Sequence, residues 1–226
     1  MQNTVGQVWL VTGAAGALGR PLVSAILASG ADCVALDRNQ RALNQLHDDL
    51  AAEGMPPAIY PLDLTGAGPD DYQTLAAVTE REFGRLDVVV HAAAHFTALR
   101  PLEHQPAEEW FTTLQSGLTG PQLLNAAIMP LLRAGERGKI AFVNNTACLE
   151  SPARWGAYGV CQAGRRQMVA TLAAELGPLG PLVVEVDPGP FFSPLRQAAW
   201  PTDSPEDMQS AEAAASTILD QLGRGG

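Results

Sequence analysis

A glycine-rich run, Thr12-Gly13-Ala14-Ala15-Gly16-Ala17-Leu18-Gly19-Arg20, ends the first apolar stretch and opens a helical pattern. Glycines there allow a tight turn and let the backbone approach a pyrophosphate, while the helix N-terminus offers N–H groups to the anion. A lone glycine triad is weak evidence, but a strand before it and a helix after it are the context that a dinucleotide site requires. Asp37 closes the next strand pattern, Val34-Ala35-Leu36-Asp37-Arg38, 18 positions past Gly19. A carboxylate at that point accepts hydrogen bonds from an adenosine ribose and repels a 2′-phosphate, which favours NAD(H) over NADP(H). Arg38 pulls the other way as a phosphate partner. Alternatively, Asp37 caps the helix beginning near Asn39.

The second group of reactive residues lies in Trp155-Gly156-Ala157-Tyr158-Gly159-Val160-Cys161-Gln162. Tyr158 and Gln162 are four apart and share a helix face. A free phenol titrates near pH ~10 and is a poor acid–base catalyst at neutrality, and a neutral amide brings no charge to stabilise a phenolate. Two cations stand nearby. Arg165 is two turns along the same face, where an exposed charge at ~10 Å is largely screened, and Arg154 is in the preceding loop. Both are expected in solvated surface. His91 and His95 could act as a base or as metal ligands, but no Cys or carboxylate cluster completes a metal site, so His91 is expected to support its loop by hydrogen bonding. No G-x-S-x-G elbow supports hydrolase chemistry.

The elements that must position these residues alternate between short apolar strands and longer helical patterns. This predicts an α/β fold, a doubly wound parallel sheet of Rossmann type with helices on both faces. Strands are expected near 7–12, 32–37, 58–63, 86–92, 138–145 and 181–186. Helices are expected over 17–29, 39–53, 70–83, 106–134 with a break at Gly117, Gly120 and Pro121, 157–177 and 205–222. Gly30, Gly54 and Gly84 fall where helix C-caps belong. No long linker interrupts the pattern, so residues 1–226 read as one domain. The segment 188–205 holds five prolines with Phe191, Phe192 and Trp200, and reads as a folded or mobile lid over an apolar cleft that Leu195 would also line.

Composition narrows the partners. A net charge of −10 argues against nucleic acid and anionic membrane, since phosphates would be repelled. Three sparse cysteines, Cys33, Cys148 and Cys161, fit a reducing compartment. Met1-Gln2-Asn3-Thr4 shows no basic region followed by an apolar stretch, and the apolar runs are too short to span a bilayer, so a cytoplasmic location is expected.

In order along the chain these features resemble the short-chain dehydrogenase/reductase family. They are the glycine-rich turn, Asp37, Asp63-Leu64 as the adenine-contacting pair, His91-Ala92-Ala93-Ala94 in place of a strand ending Asn-Asn-Ala-Gly, the Tyr158 helix and Pro188-Gly189. The glycine spacing matches the extended members. Gln105-Pro106 with Trp110, 153–158 and 200–205 resemble bacterial oxidoreductases of the YciK type.

The resemblance implies a cofactor held by Gly13, Ala15, Gly16, Leu18, Gly19, Asp37, Arg38, Asp63, Leu64, Ala92, Ala93, Tyr158, Gln162, Pro188 and Gly189. It also implies a catalytic set of asparagine, serine, tyrosine and lysine. Here the tyrosine is kept as Tyr158, while the other three positions hold Gly117, Asn145 and Gln162, with Thr146 one step beyond Asn145. Asn145 could still polarise a carbonyl. The expectation is therefore an NAD(H)-binding oxidoreductase for an alcohol or ketone with altered, weak or lost catalysis. The alternative is a non-catalytic NAD(H)-binding regulatory or interaction protein, and a weaker third is a partner subunit with no ligand. No seventh strand is seen after the last helix, and a homodimer or homotetramer could pair through the helices of 106–134 and 157–177.

Overall fold

The computed structural model describes residues 4–135 and 138–224. Residues 1–3, on which the expectation of no leader partly rests, lie outside the described residues. Strands β1 (Val8–Thr12), β2 (Asp32–Asp37), β3 (Ala58–Pro61), β4 (Val88–His91), β5 (Lys139–Val143) and β6 (Leu182–Val186) form one parallel sheet in the order β3-β2-β1-β4-β5-β6. The order reverses between β1 and β4, and a ligand crevice is expected there, beyond the carboxyl ends of the strands.

Helices α1 (Gly19–Ala28), α2 (Gln40–Ala52), α3 (Pro69–Phe83), α4 (Ala107–Leu114), α5 (Gly120–Ala134), α6 (Ala147–Glu150), α7 (Gly156–Leu176), α8 (Pro194–Ala199) and α9 (Ala211–Arg224) complete the fold. Because both sheet faces are covered, the middle residues of β1, β2, β4 and β5 are apolar in unbroken runs instead of alternating. Trp9 and Val11 pack with Leu22, Ile26, Leu43, Ala215 and Ile218 of α1, α2 and α9. Val8 and Leu10 turn the other way, onto Tyr72, Leu75, Leu124 and Ile128 of α3 and α5, with α7 alongside. Among the described residues no helix is long and apolar enough to cross a membrane.

The expected elements are present, with the short helix α6 as an addition and three further differences. The break in 106–134 is a π-helical turn at Gln115–Thr119 joining α4 to α5. The segment 188–205 contains α8, whose N-terminus is capped by Ser193, with its hydroxyl accepting from the Arg196 N–H. Six residues fit between Pro194 and the next prolines without breaking the rule that proline ends helices. The last helix begins at Ala211, not near 205, because Ser210 caps it and Pro205–Asp207 form a separate short turn. Gly30, Gly54 and Gly84 take positive φ at the ends of α1, α2 and α3, as expected.

Two glycines are required by close approach in the first turn. A Cβ on Gly13, which has φ +71°, would stand 2.8 Å from Ala93 Cα, and one on Gly19 would stand 2.1 Å from the Gly13 carbonyl oxygen. At Gly16 the nearest atom would be 3.1 Å away. Gly19→Ala is therefore expected to cost about 1–3 kcal/mol or more in urea unfolding, because the obstacle is backbone that cannot rotate aside. Gly16→Ala should cost clearly less, and equal losses would contradict this packing.

Candidate active site

A cleft of about 880 Å³ opens at the carboxyl edge of the sheet. All fifteen residues expected at the cofactor line it, from Gly13 to Gly189, and so does Asn145. One continuous space thus runs from the glycine-rich turn past Asp37 to Tyr158.

At one end, among the described residues, the N–H groups of Ala17, Leu18 and Gly19 find no backbone acceptor. Donors of this kind at a helix start suit an anionic ligand. Asp37 does cap locally, since Oδ1 accepts from the Asn39 N–H at 3.0 Å, while Oδ2 accepts from the Ala15 N–H at 3.1 Å. These bonds fix the carboxylate beside the turn and leave it lone pairs for a ribose hydroxyl. The α2 cap itself is Asn39, which accepts from the Ala42 N–H. Arg38 is exposed at the same rim, and its side chain has no ion-pair partner among the described residues. Asp63 accepts from the Thr65 N–H and hydroxyl, forming a turn that carries Leu64 into the cleft wall.

At the other end Tyr158 is only 6% exposed. Phe96 and Trp155 pack against its ring at centroid distances of 5.3 and 5.6 Å, and Trp200 from the lid segment packs on Trp155 at 5.2 Å. Arg196 lies 3.6 Å over the Trp200 ring and is held by Asp203 at 2.6 Å. Phe191 and Leu195 also line the cleft; Phe192, expected with them, does not. Burial pushes the Tyr158 phenol well above the ordinary tyrosine range. Cys148 and Asp187 add to the rise, while a hydrogen bond from the Asn145 side chain and the Arg165 charge oppose it.

Gln162 is buried, and its side-chain oxygen accepts from the Asn145 N–H at 2.9 Å. A lysine ammonium could not accept that bond. The glutamine therefore fixes Asn145, and its amide NH₂ is the end left to face a ligand. Gly117 sits in the π-helical turn facing α7, where an added Cβ would lie 2.7 Å from Cys161 Sγ. Ser116, next to Gly117, is the residue of this turn that lines the cleft, although its hydroxyl donates to the Thr112 carbonyl.

The surface placement expected for Arg165 is wrong. It is 1% exposed and donates to three backbone carbonyls, from Nε to Gly117 at 2.8 Å, from Nη1 to Val143 at 3.0 Å and from Nη2 to Ala93 at 2.7 Å. The ~10 Å rise between positions 158 and 165 measures Cα atoms. It ignores the reach of an arginine whose Cα–Cβ bond leans toward the helix N-terminus, back along the helix toward Tyr158. Arg154 is exposed, as expected.

His91 is buried, stacks on Phe142 at 4.7 Å and bonds Asn125 Oδ1 through Nε2 at 2.8 Å. Burial lowers its pKa to about 3, so it supports the strand end as a neutral ring. Among the described residues no group of three or more His, Cys, Asp or Glu could hold a metal. Sequence reasoning missed Asp187, which lines the cleft and accepts from the Thr146 and Gly189 N–H groups, each at 2.8 Å. Its place just before Pro188-Gly189, at the end of a strand, was the available signal.

A family model described as short chain dehydrogenase matches residues 7–204. The chain belongs to the short-chain dehydrogenase family. Among its relatives is the uncharacterized oxidoreductase YciK of Escherichia coli, 28% identical over 206 residues, covering 90% of this chain and 81% of YciK. A short chain dehydrogenase structure from Pseudomonas syringae is 33% identical with a TM-score of 0.86, covering 93% of this chain and 86% of that one. Another, from Escherichia coli CFT073 and complexed with NADPH, is 26% identical with a TM-score of 0.89, covering 98% and 91%.

Restoring the family's asparagine has a packing consequence. Gly117→Asn alone should lose about 1–3 kcal/mol in urea unfolding, because the new Cβ meets Cys161 Sγ. Adding Cys161→Ala should recover most of that loss, and an unaltered deficit in the double variant would contradict the contact as its cause.

Proposed function

We propose that this short-chain dehydrogenase binds NAD(H) and reduces an apolar carbonyl compound, or oxidises the matching alcohol, with Tyr158 as the proton-transferring group. The supporting observation is the single cleft that joins the glycine-rich turn, Asp37 and Tyr158. The fit to a dinucleotide rests on the missing Cβ atoms at Gly13 and Gly19 and on the unpartnered N–H groups at the start of α1. Gly13 through Gly19 would hold the pyrophosphate, Asp37 the adenosine ribose, Asp63 and Leu64 the adenine, and the Gln162 amide the second ribose. When bound, the nicotinamide supplies or accepts the hydride.

Tyr158 would deliver a proton to the carbonyl oxygen, and Asn145 would donate a hydrogen bond that polarises the same carbonyl. Phe96, Trp155 and Trp200 keep water from the reacting atoms. As the phenol is held protonated, the acid needed for reduction is present throughout the neutral range, whereas the phenolate needed for oxidation is scarce. Oxidation should therefore climb about tenfold per pH unit from pH 7 to 9, while reduction stays nearly flat. Opposite slopes, or turnover unchanged in Tyr158→Phe, would remove Tyr158 from this role.

The support for NAD(H) over NADP(H) is the Asp37 carboxylate, held beside the glycine-rich turn, which would repel a 2′-phosphate. Similar structures are complexed with NADP and NADPH, and exposed Arg38 is the group here that could meet such a phosphate. In calorimetric titration NADH should bind at least about tenfold more tightly than NADPH, about 1.4 kcal/mol. Asp37→Ala should narrow the gap. Tighter NADPH binding by the parent overturns the choice of cofactor, and binding of neither overturns the function.

A nucleotide-binding protein without turnover is the second reading. Its support is that Gln162 brings no charge to Tyr158 and commits its oxygen to Asn145. Activity that appears only in Asn145→Ser with Gln162→Lys would favour it.

A further inference from the structure

Arg165 is the bulkiest of the fully buried side chains, and among the described residues it forms no ion pair with a carboxylate. Its partners are three carbonyl dipoles, which satisfy its donors but do not neutralise its charge. A guanidinium remains protonated in proteins, and a buried charge without a counter-ion acts on its neighbours through a low dielectric. On α7 the Arg165 side chain leans toward the helix N-terminus, where Cys161 stands one turn back and Tyr158 two, and its charge acts on both and on His91 of β4. Its three carbonyl ties also fix its position, which a flexible surface cation would lack.

We infer that Arg165 is the cation of this active site, a positioning residue that acts on Tyr158 from its buried seat against the Ala93, Gly117 and Val143 carbonyls while position 162 holds a neutral amide. The inference rests on the proposed role of Tyr158. Other groups acting on the phenol are Cys148 from α6, Asp187 after β6 and the Asn145 amide, and His95, in the loop that follows β4, lines the small pocket on the other side of Tyr158. Of these, Cys148 and Asp187 oppose ionisation, so Arg165 is the charged group among those acting on the phenol that favours it. A purely structural tie would need the same hydrogen bonds but not the charge, and this difference is testable.

The test places a fluorinated tyrosine, whose phenol ionises within an accessible pH range, at position 158 of the full chain. Its ionisation is then followed by fluorine NMR without nucleotide. In Arg165→Gln, which keeps a hydrogen-bonding amide but no charge, the midpoint should rise by about one pH unit. Adding Gln162→Lys to that variant should bring it back down. Arg165→Lys, which keeps the charge but loses most of the ties, should stay near the parent midpoint while unfolding at lower urea.

An unmoved midpoint in folded Arg165→Gln overturns the inference. Should that variant fail to fold, a rise of a full unit in Arg165→Lys overturns it instead. NADH titration of the same proteins separates the two proposals. A shifted midpoint without NADH binding supports the role of Arg165 and defeats the proposed function, whereas NADH turnover with an unmoved midpoint defeats only the role of Arg165.

Discussion

A single guanidinium joins the walls of the cleft. Arg165 bonds the carbonyl of Ala93 just past β4, that of Gly117 in the turn between α4 and α5, and that of Val143 at the end of β5. These segments arrive from distant parts of the chain, and each ends where the sheet gives way to loops. Removing the side chain would leave three carbonyls without their donor in a region with little water, at about 1–3 kcal/mol for each buried group left unsatisfied. The same Ala93 is approached from the other side by Gly13, whose missing Cβ lets the glycine-rich turn touch its backbone. Ala93 is thus the point where the nucleotide end and the chemical end of the cleft are locked together.

The departures from the family's catalytic set are coupled by packing. Cys161 fills the space that a side chain at position 117 would need, and Gln162 accepts the N–H of Asn145. Arg165 takes the carbonyl of Gly117. One helix, α7, therefore supplies Tyr158, Cys161, Gln162 and Arg165 at helical spacing, and the last three meet two altered neighbours, Cys161 and Arg165 at Gly117 and Gln162 at Asn145. These contacts fill the space around the altered positions, while His91 Nδ1 and Asn144 Oδ1 nearby are buried without a hydrogen-bond partner among the described residues. The aromatic cover of Phe96, Trp155 and Trp200 keeps the phenol dry.

Much of this was legible in the sequence. The strand–glycine–helix context announced the cleft, and uninterrupted apolar strands announced a sheet covered on both faces. Asp37, Asp63 and Pro188 were readable because each stands at or just past a strand end. Less readable were features set by tertiary packing. Nothing in the sequence distinguishes Arg165 from a solvated arginine, because its burial depends on three carbonyls from elsewhere in the fold. The capping that delays α9 to Ala211 lay in Ser210, which is a weak signal beside Pro205. Ser116 lines the cleft from a π-helical turn, and glycine and proline at 117, 120 and 121 indicated a break but not its geometry.

Whether this arrangement transfers hydride is the central question. The most direct measurement supplies NADH carrying deuterium at nicotinamide C4 together with a mixture of apolar ketones, and looks by mass spectrometry for alcohols that have gained deuterium. The cleft described here predicts deuterated alcohol from the parent protein and little or none from Tyr158→Phe. Bound NADH with no deuterium in any alcohol would contradict it and leave a nucleotide-binding protein without this chemistry.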